Sequence, residues 1–178
     1  MKKFRFLLLD AGPIIKLFEL DLWEEFIKSF DVTIVRTVAE DEVVFFSKEG
    51  EKEYIDFGLG PWVEKDLIKI VDVGPLEVKN FYDKSNIRNK YDIHPGELES
   101  LAFLYGRISE DWKFCSSDGP AFAVLGFLEI SDRGISLEEI LLEMGRTKIS
   151  LEWQYTKKFR EKYTRVGQTD SIQGKGLL

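Results

Sequence analysis

The stretch FLLLDAGP at residues 6–13 decides the fold that this chain is predicted to adopt. Its four consecutive apolar residues belong to a strand predicted at residues 4–9, and such runs are typical of strands covered on both faces in a parallel sheet. Pro13 suits the first turn of a helix that then runs to about Leu20. Asp10 therefore lies at the carboxyl end of a buried strand, where open α/β sheets place their ligands.

Strand and helix patterns alternate along the rest of the chain, which indicates a parallel sheet with helices on both faces. Further strands are predicted at residues 32–35, 67–73, 112–115 and 127–130. Helices are predicted at residues 23–30, from Thr37 onward, and at 80–90, 97–105, 120–125 and 137–144, with a loop at 56–66. The predicted fold class is α/β, a three-layer α/β/α sandwich around a central, mostly parallel five-stranded sheet.

Composition is typical of a soluble globular protein. The 178 residues suit one domain with a substantial core, since 44% of them are hydrophobic and 32% are charged. No apolar stretch approaches the roughly 20 residues that a membrane span needs, and the apolar run before Asp10 is too short for a signal peptide. The single cysteine, Cys115, excludes an internal disulfide and reads as a buried strand residue. We therefore expect a cytoplasmic protein that does not bind a membrane.

Charge is distributed unevenly along the chain. The net charge is −7, which argues against broad affinity for nucleic acid. Residues 151–178 contain six basic and three acidic side chains, a balance of +3, so residues 1–150 carry the remaining −10. The tail is predicted to begin as a helix and to become disordered beyond Gly167. It could contact phosphates while the acidic body holds metal, or it could be a solvated helix face, and the sequence leaves both interpretations open.

Two further acids occur in settings like that of Asp10. Asp118 follows the strand predicted at residues 112–115, and Glu97 lies in the first turn of a predicted helix. Adjacent parallel strands lie about 5 Å apart, so Asp10 and Asp118 are expected to meet at one edge of the sheet. Such carboxylates would repel one another unless a divalent cation lay between them, and hard oxygen ligands suit Mg²⁺ or Mn²⁺. A pair of these ions can promote phosphodiester hydrolysis by activating water and stabilising the departing oxygen.

Each acid also has a plainer interpretation. Asp10 and Asp118 could simply cap the helices that follow them, and Glu97 could be a partner of a helix dipole. The run Glu40-Asp41-Glu42 follows the second strand, and any one of these side chains could point at the same place or into solvent. The prediction of a metal site therefore depends on the combination of acids.

Four stretches of the chain resemble motifs of the PIN-domain nuclease family. These stretches are LLLDAGPIIKL at residues 7–17, VAED at 38–41, HPGELESLA at 94–102 and FCSSDG at 114–119. The resemblance matches Asp10 to the first metal-binding aspartate and Glu97 to the acid of the central helix that faces the metal. It matches Ser116 and Asp118 to a serine or threonine two residues before an aspartate. Asp41 matches an acid three residues after a valine.

The resemblance spans most of residues 4–130 and implies a PIN-like fold with metal-dependent endoribonuclease chemistry on an RNA substrate. The implied catalytic residues are Asp10, Glu97, Asp118 and Ser116, with Ser116 orienting a carboxylate or water. The implied ligands of Mg²⁺ or Mn²⁺ are Asp10, Asp41, Glu97 and Asp118. Many relatives are toxins of toxin–antitoxin pairs and form homodimers, so a small antitoxin protein and a second copy are implied partners.

The chain departs from the family pattern in two respects. It is longer than the compact toxins, and it has Asp41 or a neighbour where a glutamate is usual. We divide it into a PIN-like nuclease domain at residues 1–148 and a basic C-terminal helical extension with a flexible tail at 149–178.

Other functions fit the residues less well. His94, the single histidine, is interpreted as structural or solvent-facing because it precedes Pro-Gly at a helix start. Ser116 and Ser117 lack the partners of a serine hydrolase. A phosphatase of the haloacid-dehalogenase type needs an aspartate where Gly12 stands, and no lysine ends the last predicted strand as a receiver domain requires. The alternative that remains is a catalytically silent PIN-like module that binds RNA or a protein.

Overall fold

The structure is a computed structural model that describes residues 6–43, 45–46, 55–56, 58–85, 87 and 91–174. Its strands are β1 (Phe6–Leu9), β2 (Val32–Val35), β3 (Phe45–Phe46), β4 (Ile55–Asp56), β5 (Ile68–Val71), β6 (Trp112–Cys115) and β7 (Gly134–Ile135). Its α-helices are α1 (Ala11–Glu19), α2 (Trp23–Ser29), α3 (Gly60–Glu64), α4 (Pro75–Ser85), α5 (Pro95–Tyr105), α6 (Gly119–Phe127), α7 (Leu137–Glu143) and α8 (Lys157–Ile172). In these ranges no helix is both long and apolar enough to span a bilayer.

Five parallel strands form the central sheet, in the order β5-β2-β1-β6-β7. Leu7, Leu8 and Leu9 of the middle strand are all completely buried. Successive side chains of a strand point to opposite faces, so this burial requires helices on both sides of the sheet. The predicted α/β class and three-layer α/β/α arrangement are thereby confirmed, and the central sheet is entirely parallel.

The strand order creates a crevice at the carboxyl end of β1. From β1 the chain proceeds to β2 and β5 on one side, and then returns to β6 on the other side. β1 and β6 pair in register, with Leu8 beside Phe114 and Leu9 beside Cys115. The helices that follow two such strands diverge, which leaves space above their carboxyl ends for a ligand.

The strand predicted at residues 127–130 is wrong, and the fifth central strand is β7 instead. Phe127 ends α6, and Glu129 takes a left-handed conformation with φ 60°. The amide of Ile130 donates to the carbonyl of Leu125, and the amide of Glu129 donates to that of Gly126, which is a Schellman helix end. A short apolar run has no reliable period, so this folded-back helix end resembled a strand in the sequence.

Two predicted boundaries also need correction. The loop predicted at residues 56–66 contains the short helix α3. The helix predicted at 80–90 begins five residues earlier as α4 and is described only to Ser85, since residues 86 and 88–90 lie outside the described part of the chain. The helix predicted at 137–144 is present as α7, and a capping box begins it, because the Ser136 hydroxyl accepts from the Glu139 amide.

Helix α8 packs against α6 at two glycines. A Cβ on Gly167 would collide with the carbonyl oxygen of Ala123, and one on Gly126 would collide with the carbonyl oxygen of Thr164. Only glycine permits the two backbones to approach this closely. The helix consequently continues through Gly167 to Ile172, beyond the point where the sequence predicted disorder, and it lies on the helix that follows β6.

We expect Gly167→Ala to destabilise the protein by about 1–3 kcal/mol, because the new methyl group forces α6 and α8 apart. Gly58→Ala is the matched control, since a Cβ there meets nothing within 4 Å. Its effect should stay within about 0.5 kcal/mol of the wild type. Urea denaturation followed by circular dichroism measures both changes, and an unaltered unfolding midpoint for Gly167→Ala would contradict the close helix crossing.

Candidate metal centre

An acidic pocket of about 530 Å³ opens at the carboxyl ends of β1 and β6. Four carboxylates and an imidazole line it: Asp10, Glu42, Glu97, Asp118 and His94. The C-terminal segment also lines the pocket, through Gln154, Phe159 and Tyr163. The crevice that the strand order creates is therefore the place where the acidic side chains converge.

Ser116 links the two strand ends. Its buried hydroxyl donates to Asp10 Oδ2 at 2.7 Å, and the same oxygen accepts from the Asp118 amide at 3.0 Å. The serine thus fixes the orientation of the Asp10 carboxylate and the loop that carries Asp118. The structure thus places Ser116 in direct contact with both of the predicted aspartates.

Asp10 and Asp118 occupy the N-cap positions of α1 and α6, yet neither makes an N-cap hydrogen bond through its side chain. Simple capping therefore does not account for either residue. Asp10 is buried, whereas the Asp118 side chain is 23% exposed at the pocket. Both carboxylates line the pocket, so their oxygens are placed to meet a ligand there.

Glu97 and His94 complete a compact group with Asp118. One potential ligand atom from each of the three residues lies within 4.8 Å of the other two, and His94 Nδ1 is 4.0 Å from Asp118 Oδ2. Glu97 also accepts a hydrogen bond from the His94 backbone amide at 3.2 Å. The His94 side chain is 70% exposed, in agreement with the sequence interpretation of it as structural or solvent-facing, but that interpretation did not include its place at the pocket. Its spacing of three residues before Glu97, at a helix start, is the signal that would have found it.

Glu42, rather than Asp41, lies at the pocket. Residues Val38–Glu42 form a single π-helical turn, in which the Val43 amide donates to the Val38 carbonyl at 3.1 Å. This wider turn rotates Asp41 into solvent and brings Glu42 round to the face of Val38. Glu42 Oε1 then accepts from the Gly96 amide at 3.0 Å. The predicted ligand Asp41 does not line the pocket.

Gly96 permits this contact between the π-helical turn and α5. A Cβ at Gly96 would lie 2.5 Å from both Glu42 Oε2 and Val38 Cγ2. Any larger residue would displace the Glu42 carboxylate from its hydrogen bond. The HPGE sequence therefore contributes the glycine that admits Glu42 as well as the acid at position 97.

Burial and mutual repulsion raise the pKa of two carboxyl groups in the pocket. Desolvation is the largest cause for Asp10, where it outweighs the Ser116 hydrogen bond and, with the charges of Glu42 and Asp118, raises the pKa to about 6. For Glu97, desolvation followed by the charges of Asp10 and Asp118 raises the pKa to about 9. Such perturbed carboxyl groups in a cleft are characteristic of functional sites.

The donor set fits a small divalent cation. Mg²⁺ binds oxygen at about 2.0–2.1 Å, so opposite ligand atoms of its site are roughly 4.2 Å apart. The ligand atoms of His94, Glu97 and Asp118 lie within 4.8 Å of one another. At most one pair of them can be opposite and adjacent ligands are roughly 2.9 Å apart, so the three side chains would have to draw together around an ion. Carboxylates suit both Mg²⁺ and Mn²⁺, and the imidazole is a better ligand for Mn²⁺.

Three helices begin at the pocket. Ala11 of α1 and Gly119 of α6 line it, and His94 is the N-cap of α5. The amino ends of helices carry partial positive charge and favour anions, including phosphate. The same geometry that tolerates the clustered carboxylates thus also favours a phosphate ligand above them.

Comparison of the chain with family models, with curated proteins and with solved structures found no match in any of the three.

The raised pKa of Asp10 predicts a pH dependence of stability in the metal-free protein. The folded chain keeps this proton up to about pH 6, whereas an unfolded aspartate loses it near 3.8, so stability falls as pH rises through that window. Asp10→Asn cannot lose a proton. We expect its stability relative to the wild type to improve by roughly 2 kcal/mol between about pH 4.5 and pH 8.

Urea denaturation in EDTA at the two pH values measures this difference. Asp41→Asn removes an exposed carboxylate outside the pocket and controls for the loss of one negative charge. A stability difference between Asp10→Asn and the wild type that does not change with pH would contradict the prediction.

Proposed function

We propose that this chain is a Mg²⁺- or Mn²⁺-dependent endoribonuclease that hydrolyses phosphodiester bonds in RNA. One observation carries the proposal, namely the convergence of Asp10, Glu42, Glu97 and Asp118 in a single pocket at the ends of β1 and β6. Four carboxylates that lie so close together are stable as anions only when a cation lies among them.

Each side chain has a role that its geometry supports. Asp10, Glu97 and Asp118 would hold the cation, with Glu42 as a fourth carboxylate and His94 as a nitrogen donor. Ser116 keeps Asp10 oriented through the 2.7 Å hydrogen bond. A bound divalent cation there supplies activation of water and neutralises charge that develops on the phosphate. The amino ends of α1, α5 and α6 offer further stabilisation to that phosphate.

The protonation of Asp10 and Glu97 supports the same proposal. Without a cation these groups retain protons above their usual range, and a divalent ion would replace those protons. Ion binding would then tighten as pH rises. A pocket whose acids are satisfied by structural salt bridges would not have this property.

The resemblance to PIN-domain nucleases adds weight to this proposal. Of the residues that match its motifs, Asp10, Glu97 and Asp118 line the pocket. Ser116 is buried beside it and donates a hydrogen bond to Asp10. A toxin role, an antitoxin partner, a homodimer and a cytoplasmic location depend on sequence arguments alone and remain predictions.

The test is cleavage of an end-labelled RNA pool with Mn²⁺, Mg²⁺ or EDTA. We expect cutting only with metal, and Asp10→Asn and Asp118→Asn should each reduce its rate by at least about 100-fold, because each removes an anionic ligand. Equal cutting by wild type and both variants would indicate a contaminating nuclease. A folded wild type that binds Mn²⁺ but does not cut RNA would favour the alternative of a catalytically silent PIN-like module that binds RNA or a protein.

The pair Glu42→Gln and Asp41→Asn tests the ligand that the π-helical turn selects. Both changes remove one negative charge from adjacent residues, but only Glu42 lines the pocket. We expect Glu42→Gln to weaken Mn²⁺ binding by roughly 10-fold in calorimetry and Asp41→Asn to leave it unchanged. The opposite ranking would restore the sequence prediction of Asp41 as the ligand.

A further inference from the structure

The C-terminal segment forms a wall of the acidic pocket. The side chains of this wall are amide and aromatic groups rather than carboxylates. Gln154, Phe159 and Tyr163 line this side. The Tyr163 ring lies directly against the start of α6, because a Cβ on Gly119 would be 2.5 Å from it. An aromatic ring of the C-terminal segment therefore lies next to the residue that follows Asp118.

Three aromatic rings lead from this wall to the surface. The ring centroids of Phe159 and Tyr163 are 4.7 Å apart, and those of Phe159 and Trp153 are 6.0 Å apart. Phe159 is buried and also packs against Phe122, so its role is in the core. Trp153 is 50% exposed and Tyr163 is half-buried at the pocket. Core packing explains the middle ring but not the exposure of the outer two.

Helix α8, which carries two of these rings, has a net positive charge, whereas the chain as a whole has a net charge of −7. The helix contains five basic and two acidic residues. Lys158, Lys162 and Arg165 are exposed, and Lys162 Nζ lies 5.3 Å from the Tyr163 ring centroid. Exposed cations interleaved with aromatic rings are the combination that binds single-stranded nucleic acid.

Ion pairs hold this wall in place. The buried Lys16 of α1 donates to Glu152 at 2.6 Å, and its Nζ is 5.7 Å from the Tyr155 ring centroid. Arg160 of α8 makes a two-pronged contact with Glu139 at 2.8 and 2.9 Å. These contacts fix the segment on both sides of Trp153 and Phe159, so the wall is organised before any ligand arrives.

We propose that residues 153–163 bind single-stranded nucleic acid, with one unpaired base stacked on Tyr163 and a neighbouring base on Trp153. Lys158 and Lys162 contact the flanking phosphates. This inference rests on the proposed function, because the phosphate next to the stacked base then lies at the metal centre. A duplex keeps its bases stacked on one another and cannot present them to these rings.

The first experiment measures binding of a labelled ten-nucleotide single-stranded RNA in EDTA by fluorescence anisotropy. We expect Tyr163→Ala and Trp153→Ala each to weaken binding at least fivefold, since base stacking on an aromatic ring contributes about that much or more. Tyr163→Phe retains the ring and should bind like the wild type. Ile172→Ala, an exposed apolar residue farther along α8, is the matched control and should also bind normally.

The lysines give a second readout that does not depend on the folding of the aromatic variants. Lys158→Gln and Lys162→Gln should each reduce the slope of log affinity against log salt concentration by about 0.7. An unlabelled duplex of the same sequence should compete poorly with the single strand. Urea denaturation checks that every variant is folded.

Unchanged affinity in folded Tyr163→Ala and Trp153→Ala, or equal affinity for the duplex, would overturn the inference. Failure of the proposed function gives a different result. A chain that binds the single strand through Tyr163 but never cuts it with Mn²⁺ would retain this binding site and lose the nuclease. A chain that cuts RNA with metal but binds equally well in all variants would retain the nuclease and lose this site.

Discussion

The structure depends on the two hydrogen bonds of the Ser116 hydroxyl, which join the ends of the two strands at the centre of the sheet. Because β1 and β6 pair in register, Asp10 and Asp118 are brought to the same edge. The serine then holds the first carboxylate in a buried position that water cannot screen. Burial of Asp10, with the charges of Glu42 and Asp118 as smaller causes, raises its pKa even though the Ser116 hydrogen bond lowers it. The case for a cation follows from this buried position beside other carboxylates.

Much of the fold could be predicted because its central strands are mostly apolar. β1 is a continuous apolar run, and β2 and β6 each contain one polar residue, Thr33 and Lys113 respectively. The edge strand β7 was harder to predict. β7 has only two residues and contains Gly134, whereas the preceding apolar run at 127–130 is a helix end that folds back on α6. Short segments take their conformation from tertiary contacts that no local pattern contains.

The residues of the candidate site were also predictable only in part. Asp10, Ser116 and Asp118 could be found from sequence because strand ends are local features, and parallel pairing brings those ends together. Glu42 could not, since a π-helical turn changes which of three adjacent acids faces inward. The aromatic wall was also hidden, because its position depends on Gly126 and Gly167, where two helix backbones meet across a long sequence separation.

That glycine crossing has a consequence for the order in which the site forms during protein synthesis. The acids reside on elements made before α8, which carries Tyr163 and leaves the ribosome last among the described helices. A growing chain that has not yet produced α8 has its carboxylates without the aromatic lining of the pocket. The surface of α6 at Gly126 also remains bare. Completion of the pocket is therefore delayed until the ribosome has translated the codons of α8.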